Sequence, residues 1–125
     1  MLPSSKDASM LSTAEYRARL ELAMNDAAGI IVPKGRDDDA YFESLRESVR
    51  AALCQPFTVV AIVENEDFSG LTPGQSIVAD VVAHADGYWL AYQPETDNFY
   101  CFWGSDPARL GAYREAGSAL FVWWD

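Results

Sequence analysis

The dipeptide Asp86-Gly87 constrains this chain more than any other two residues. Asp-Gly between apolar runs is a strong signal for a two-residue β-hairpin turn, because both residues accept positive φ. The runs on either side are "SIVADVVAH" and "YWLAYQ", and Pro94-Glu95-Thr96-Asp97 then leads into "NFYCFWG". Side chains alternate along a strand, so the two turns decide which residues share a face. A two-residue turn sets Ala85 opposite Tyr88, Ala83 opposite Leu90 and Val81 opposite Tyr92. A loop over 94–97 sets Tyr92 opposite Phe99, Leu90 opposite Cys101 and Tyr88 opposite Trp103. With Ile77 and Ala79, these residues make a continuous apolar face that is expected to carry the core.

The other face reads Asp80–Gln93–Asn98, Val82–Ala91–Tyr100 and His84–Trp89–Phe102. Aromatic groups and the single histidine hold one end of it, and polar groups hold the other. Apolar patches rimmed by polar and acidic groups mark binding surfaces. The expectation is a partly exposed patch with Trp89, Tyr100 and Phe102 as anchors and Asp80 and His84 beside them. A one-residue slip in register would exchange the two faces.

The preceding half of the chain reads as helical. Ser12 and Glu15 fit a capping box, with Leu11 and Tyr16 placed as a hydrophobic staple. Tyr16, Leu20, Ala23, Met24 and Ala27 recur at helical spacing up to Gly29. "IIVP" makes a short apolar segment, either a brief strand or a buried crossing. A second helix starts after "KGRDDD", with Asp38 or Asp39 as its cap and Phe42, Leu45, Val49, Ala52 and Leu53 as its stripe. Pro56 is expected to end it at Gln55. "FTVVAIV" is a β-branched strand, and "ENEDFSGLTPGQ" is a polar loop. Asp106-Pro107 suggests a short helix, and "ALFVWW" a closing strand. The fold class is therefore α+β: two N-terminal helices, a mostly antiparallel sheet of four to five strands, and one short helix before the last strand. Residues 1–11 read as a flexible lead-in and 12–125 as one domain.

Charge is distributed unevenly. Residues 1–55 carry seven Lys/Arg against nine Asp/Glu, whereas residues 56–125 carry two against ten. Between Pro56 and Ala108 there is no basic residue, yet Glu64, Glu66, Asp67, Asp80, Asp86, Glu95, Asp97 and Asp106 all fall there. Such a region repels nucleic acid and anionic membrane and attracts cationic partners. No apolar run approaches the ~18 residues of a membrane span. With no signal-like N-terminus and two separated cysteines, a cytoplasmic location is the expectation.

Motifs for chemistry are sparse. Asp80 and His84 are four strand residues apart, about 13 Å at ~3.3 Å per residue. His84 is expected on the face opposite Cys101, so a Cys/His nucleophile is disfavoured, and His84 reads as a neutral ring beside Trp89. One histidine and two cysteines do not make an ordinary zinc or copper site, and Asp37-Asp38-Asp39 reads as capping rather than cation binding. "GLTPGQS" lacks the ending of a phosphate loop. No cofactor and no catalytic residue is expected.

The resulting expectation is a small acidic protein-binding module, not an enzyme. In general character it matches inhibitor, antitoxin or immunity-type proteins of bacteria that neutralise a basic toxin or nuclease. Glu64, Glu66, Asp67, Glu95, Asp97 and Asp80 would steer the basic partner, and Trp89, Tyr100, Phe102 and His84 would form the contact centre. Two alternatives are a small-molecule or catalytic domain using His84, Asp80 and Tyr100, and an adaptor that self-associates through the same aromatic face or through "LFVWW" at a sheet edge.

Overall fold

A computed structural model describes residues 11–64, 72–112 and 117–124 of the 125. Helix α1 (Thr13–Ala23) opens with the expected capping box: Ser12 Oγ accepts from the Glu15 amide, and the Glu15 carboxylate accepts from the Ser12 amide. Tyr16, Leu20 and Met24 are buried along one side, and Leu11 packs against the same cluster. Helix α2 (Asp38–Ala51) is capped one residue earlier than expected, by Asp37, whose carboxylate accepts from the Ala40 amide at 2.9 Å. It ends at Ala51, short of Gln55, because the chain enters β1 at once.

Strand β1 (Leu53–Val63) therefore contains Pro56, in a stretch where pairing with the next strand slips between Leu53 and Phe57. A proline has no N–H for the ladder, and an irregular stretch is where a strand tolerates one. β2 (Ser76–Ala85), β3 (Tyr88–Gln93) and β4 (Asn98–Trp103) continue as an antiparallel meander. Asp86 and Gly87 have φ of 50° and 86°, which makes the two-residue turn. Residues 94–97 form the next connection, with Asp97 at φ 55°.

The third helix and the last strand stand in a different order from the expected one. Asp106-Pro107 begins only a turn, in which Asp106 accepts from the Ala108 amide through its side chain and from the Arg109 amide through its carbonyl. Strand β5 (Leu110–Ala112) follows, and "ALFVWW" forms the short helix α3 (Ala119–Trp123). "IIVP" lies outside helix and strand. The fold is α+β, with helices beside a mainly antiparallel five-stranded sheet. β5 pairs antiparallel with β4 and parallel with β1, and this closes the sheet into a barrel.

Two cores result. The barrel interior holds Val59, Ala61, Val63, Ile77, Ala79, Val81, Trp89, Ala91, Tyr100, Phe102, Leu110 and Ala112. The second core lies outside the barrel, where α1, α2 and α3 cover Val82, Ala83, Leu90, Tyr92, Phe99 and Cys101. Phe121 of α3 fits against two glycines: a Cβ on Gly29 or on Gly117 would come within 3.0 Å of its ring. Among the described residues, no helix is long and apolar enough to cross a membrane.

One bulge divides β2 between the two cores. Ala85, His84 and Ala83 pair with Tyr88, Trp89 and Leu90 as the turn requires, but Val81 then pairs with Ala91 and Asp80 with Tyr92. Val82 is the extra residue. Ile77, Ala79 and Val81 therefore point into the barrel, whereas Ala83 points to the helices. The expected single face from Ile77 to Ala83 is broken at this point.

Candidate functional site

The three aromatic anchors expected on an open patch are inside the barrel. Trp89 is 8% exposed, Tyr100 7% and Phe102 0%. Trp89 Nε1 donates to the Gly104 carbonyl at 2.8 Å, the Phe57 ring meets Trp89 edge-on, and Tyr100 and Phe102 stack at 5.6 Å. The expected exposure is corrected by closure of the sheet: pairing of β5 with β1 turns this face inward. In this fold the three rings are core, and a surface contact centre must come from other residues.

His84 is exposed at the β2–β3 end and stacks on Trp89 at 4.5 Å, as read from the sequence. Cys54 lies nearer to it than the sequence suggested, because Leu53 pairs with Ala83 and the Ala52 carbonyl accepts from the His84 amide. No hydrogen bond joins the two side chains. Burial also raises the Cys54 thiol pKa, the reverse of an activated nucleophile.

Asp80 is not a surface carboxylate. It is 7% exposed, paired with Thr58 across β1–β2 and covered by α1. Tyr16 donates its hydroxyl to one carboxylate oxygen in a short bond, and Thr58 donates to the other at 2.7 Å. A buried carboxylate needs such donors. Burial first, and then the bond to Asp80, pushes the Tyr16 phenol far above its ordinary range. Beside this corner, Arg19 donates to the Tyr92 hydroxyl at 2.9 Å, and Tyr92 donates to Asp97 at 2.5 Å. The Tyr92 phenol is raised by burial and by Asp97. These bonds fasten α1 to the sheet.

The other acidic residues separate by barrel end. In a meander, the β1–β2 and β3–β4 connections leave from the same end. Glu64 follows β1, and Glu95 and Asp97 lie in the β3–β4 turn, so these three share an end. Gln93 marks the proximity: its side-chain amide donates to the Val78 carbonyl at the start of β2. Glu66 and Asp67 lie outside the described residues. Asp86 and His84 are at the opposite end.

Ion pairing is just as divided. Among the described residues, every ion pair lies in α1 and α2: Arg50 with Glu21, Glu43 and Glu47, and Arg46 with Glu43. Glu21 is held below the usual carboxylate range chiefly by its bond to Arg50. Glu64 and Glu95 are exposed and form no ion pair with any described residue.

The sequence reading missed an apolar strip beside that acidic end. Val60 is 49% exposed, Ile62 40% and Val78 51%, and Val60 pairs directly with Val78. They point outward because their neighbours Val59, Ala61, Val63, Ile77 and Ala79 fill the barrel. A signal was present in "VVAIV", residues 59–63: a run that is apolar at every position needs cover on both faces. Two clefts also flank Asp97. One of ≈ 260 Å³ is lined by Ala23, Asp26, Asn98, Phe99, Gly117 and Ser118 with Asp97, and one of ≈ 500 Å³ by Arg19, Leu22, Ala23 and Asp97. His84, Asp80 and Tyr100 line neither of them.

Comparison with protein-family models, with curated proteins and with solved structures gives no match.

Proposed function

We propose that this chain is an acidic protein-binding module of the inhibitor or immunity type, which neutralises a basic protein such as a toxin or nuclease by covering its working surface. The observation that carries this reading is the division of charge. The arginines Arg46 and Arg50 are matched within the helices, while Glu64 and Glu95, at one end of the barrel, have no ion-pair partner among the described residues. Carboxylates placed in this way accelerate encounter with a cationic partner and reject anionic ones, nucleic acid and anionic membrane included. The reading assigns no catalytic residue and no cofactor; burial raises the pKa of the Cys54 thiol, so it is not an activated nucleophile. A cytoplasmic setting fits a chain whose only two cysteines, Cys54 and Cys101, stand far apart in sequence and form no spaced redox or metal pair.

The test is affinity capture from the native cell, followed by titration of each purified partner against salt. A basic protein whose Kd rises steeply between low and high salt, and whose association slows in a Glu64→Gln/Glu95→Gln/Asp97→Asn variant, supports the reading. A neutral or acidic partner with salt-independent affinity overturns it. The clefts beside Asp97 favour a small-molecule reading instead, which calorimetric titration against a metabolite panel would reveal. Self-association through "LFVWW" as an edge strand loses its basis, because that segment is helix α3.

A further inference from the structure

We propose that the bare strip of Val60, Ile62 and Val78 is the docking centre for the basic partner, receiving an apolar ridge flanked by lysine or arginine. This inference rests on the function proposed above and specifies where the partner sits.

The three side chains form one surface. Val60 and Ile62 are two residues apart on β1 and so share a face, and Val78 is the cross-strand partner of Val60. The backbone beneath is anchored by a packed barrel interior, with Ala61 at 0%, Val63 at 1% and Ala79 at 2% exposure. Binding here orders little that is not already ordered, which favours affinity. β-Branched side chains also lose few rotamers on contact.

The rim selects the occupant. Glu64, just past the end of β1, lies two residues beyond Ile62, and the turn carrying Glu95 and Asp97 is tied to Val78 through Gln93. On β2 the strip ends at Asp80, whose carboxylate is already satisfied by Tyr16 and Thr58. Arg109, one residue before β5, is the single Lys or Arg between Pro56 and Ala112, a stretch that carries eight carboxylates. A second copy of the chain would set these carboxylates against their own kind. A basic surface would neutralise them while covering the valines and isoleucine, so charge complementarity favours it.

The experiment uses the full chain and three nine-residue peptides, alternating Lys/Val, Glu/Val and Lys/Ser, followed by amide chemical shifts in NMR titrations and by sedimentation. The expected result is saturable binding of the Lys/Val peptide, with the largest shifts at Val60, Ile62 and Val78. A V60S/V78S double variant should weaken it at least tenfold while its spectrum elsewhere stays native, and the Glu/Val peptide should not bind. Equal binding of Lys/Val and Lys/Ser, with shifts confined to Glu95 and Asp97, would overturn the strip as the centre but leave the acidic-module reading standing. Equal binding of Glu/Val at the strip would overturn the basic occupant, and with it the charge selectivity on which the functional reading depends. A dimer that V60S/V78S dissociates would assign the strip to a second copy and overturn the proposal. Absence of binding by all three peptides up to millimolar concentration would also overturn it, while the salt-dependent capture above would still judge the function independently.

Discussion

Strand β2 meets two environments within its ten residues. Near its end, Val82 and Ala83 are 3% and 0% exposed beneath the helices, whereas Val78 near its start stands 51% exposed. The difference lies in cover, since the side chains are of one kind. Three helices reach across β3, β4, the second half of β2 and the start of β1, and the outer face of β1 is bare at Val60 and Ile62. An α+β chain with a closed barrel has an interior to fill and an exterior only partly roofed. On the roofed side polar groups are satisfied internally, as Asp80 is by Tyr16 and Thr58. On the open side the apolar side chains of Val60, Ile62 and Val78 and the carboxylates of Glu64 and Glu95 face solvent together.

The strongest way to break this comparison is to remove the filling that both sides depend on. Phe102→Ala opens a cavity in the barrel beside Tyr100 and should cost about 3–5 kcal/mol, a large share of the stability of a small domain. Urea denaturation followed by circular dichroism measures it. If the loss were under about 1 kcal/mol, as for a surface change, the aromatic row would be an outer face after all.

The roofed corner should respond next. Tyr16→Phe deletes one of the two hydroxyls on buried Asp80 and should cost about 1–2 kcal/mol, with the helices still formed. The same corner predicts behaviour in alkali. Tyr16, Tyr92 and Tyr100 have raised phenol pKa values in the folded chain, chiefly through burial. An unfolded phenol titrates near about 10, so above that pH the unfolded state gives up protons that the native state keeps, and stability falls as pH rises. Denaturation midpoints from pH 8 to 11 should drop beyond the unfolded phenol pKa, and Tyr16→Phe should flatten part of the drop. An identical slope in that variant would show that Tyr16 does not sit in the environment described.

The open strip should respond least in stability. Val60→Ser and Val78→Ser remove exposed methyl groups and should change it by no more than about 0.5 kcal/mol. A loss of several kcal/mol in thermal melts would mean that the strip is covered within the chain itself, and the contrast between the two sides would disappear.

Several local features were legible from residue order alone. The Ser12–Glu15 capping box, the Asp86-Gly87 turn, the 94–97 connection and the pairing of β3 with β4 all depend on residues close in sequence. The candidate site was legible only in part. Charge drew Glu64, Glu95 and Asp97 into the proposed site, and the structure gathers them at one barrel end, but periodicity put its apolar centre on Trp89, Tyr100 and Phe102, which are core. The bulge was invisible because Val81, Val82 and Ala83 are all apolar, so either phase suits the pattern. Without it, Ile77 to Ala83 share one face; with it, the strand turns halfway from the barrel interior to the helix-covered core.

What the sequence by itself determined is the set of caps, turns and neighbouring pairings, together with an acidic second half that has no counter-charge over fifty residues. Only the tertiary structure decided which apolar face is interior. Pairing of Ala61 with Leu110 closes the barrel across almost fifty residues of chain, and no local pattern encodes a contact at that distance. "ALFVWW" resembles a strand by composition, yet it folds as a helix, with Ala119, Leu120 and Val122 buried and Phe121 fitted between Gly29 and Gly117. Packing overrode propensity there because burying those side chains against the sheet outweighs a β preference that depends on its surroundings.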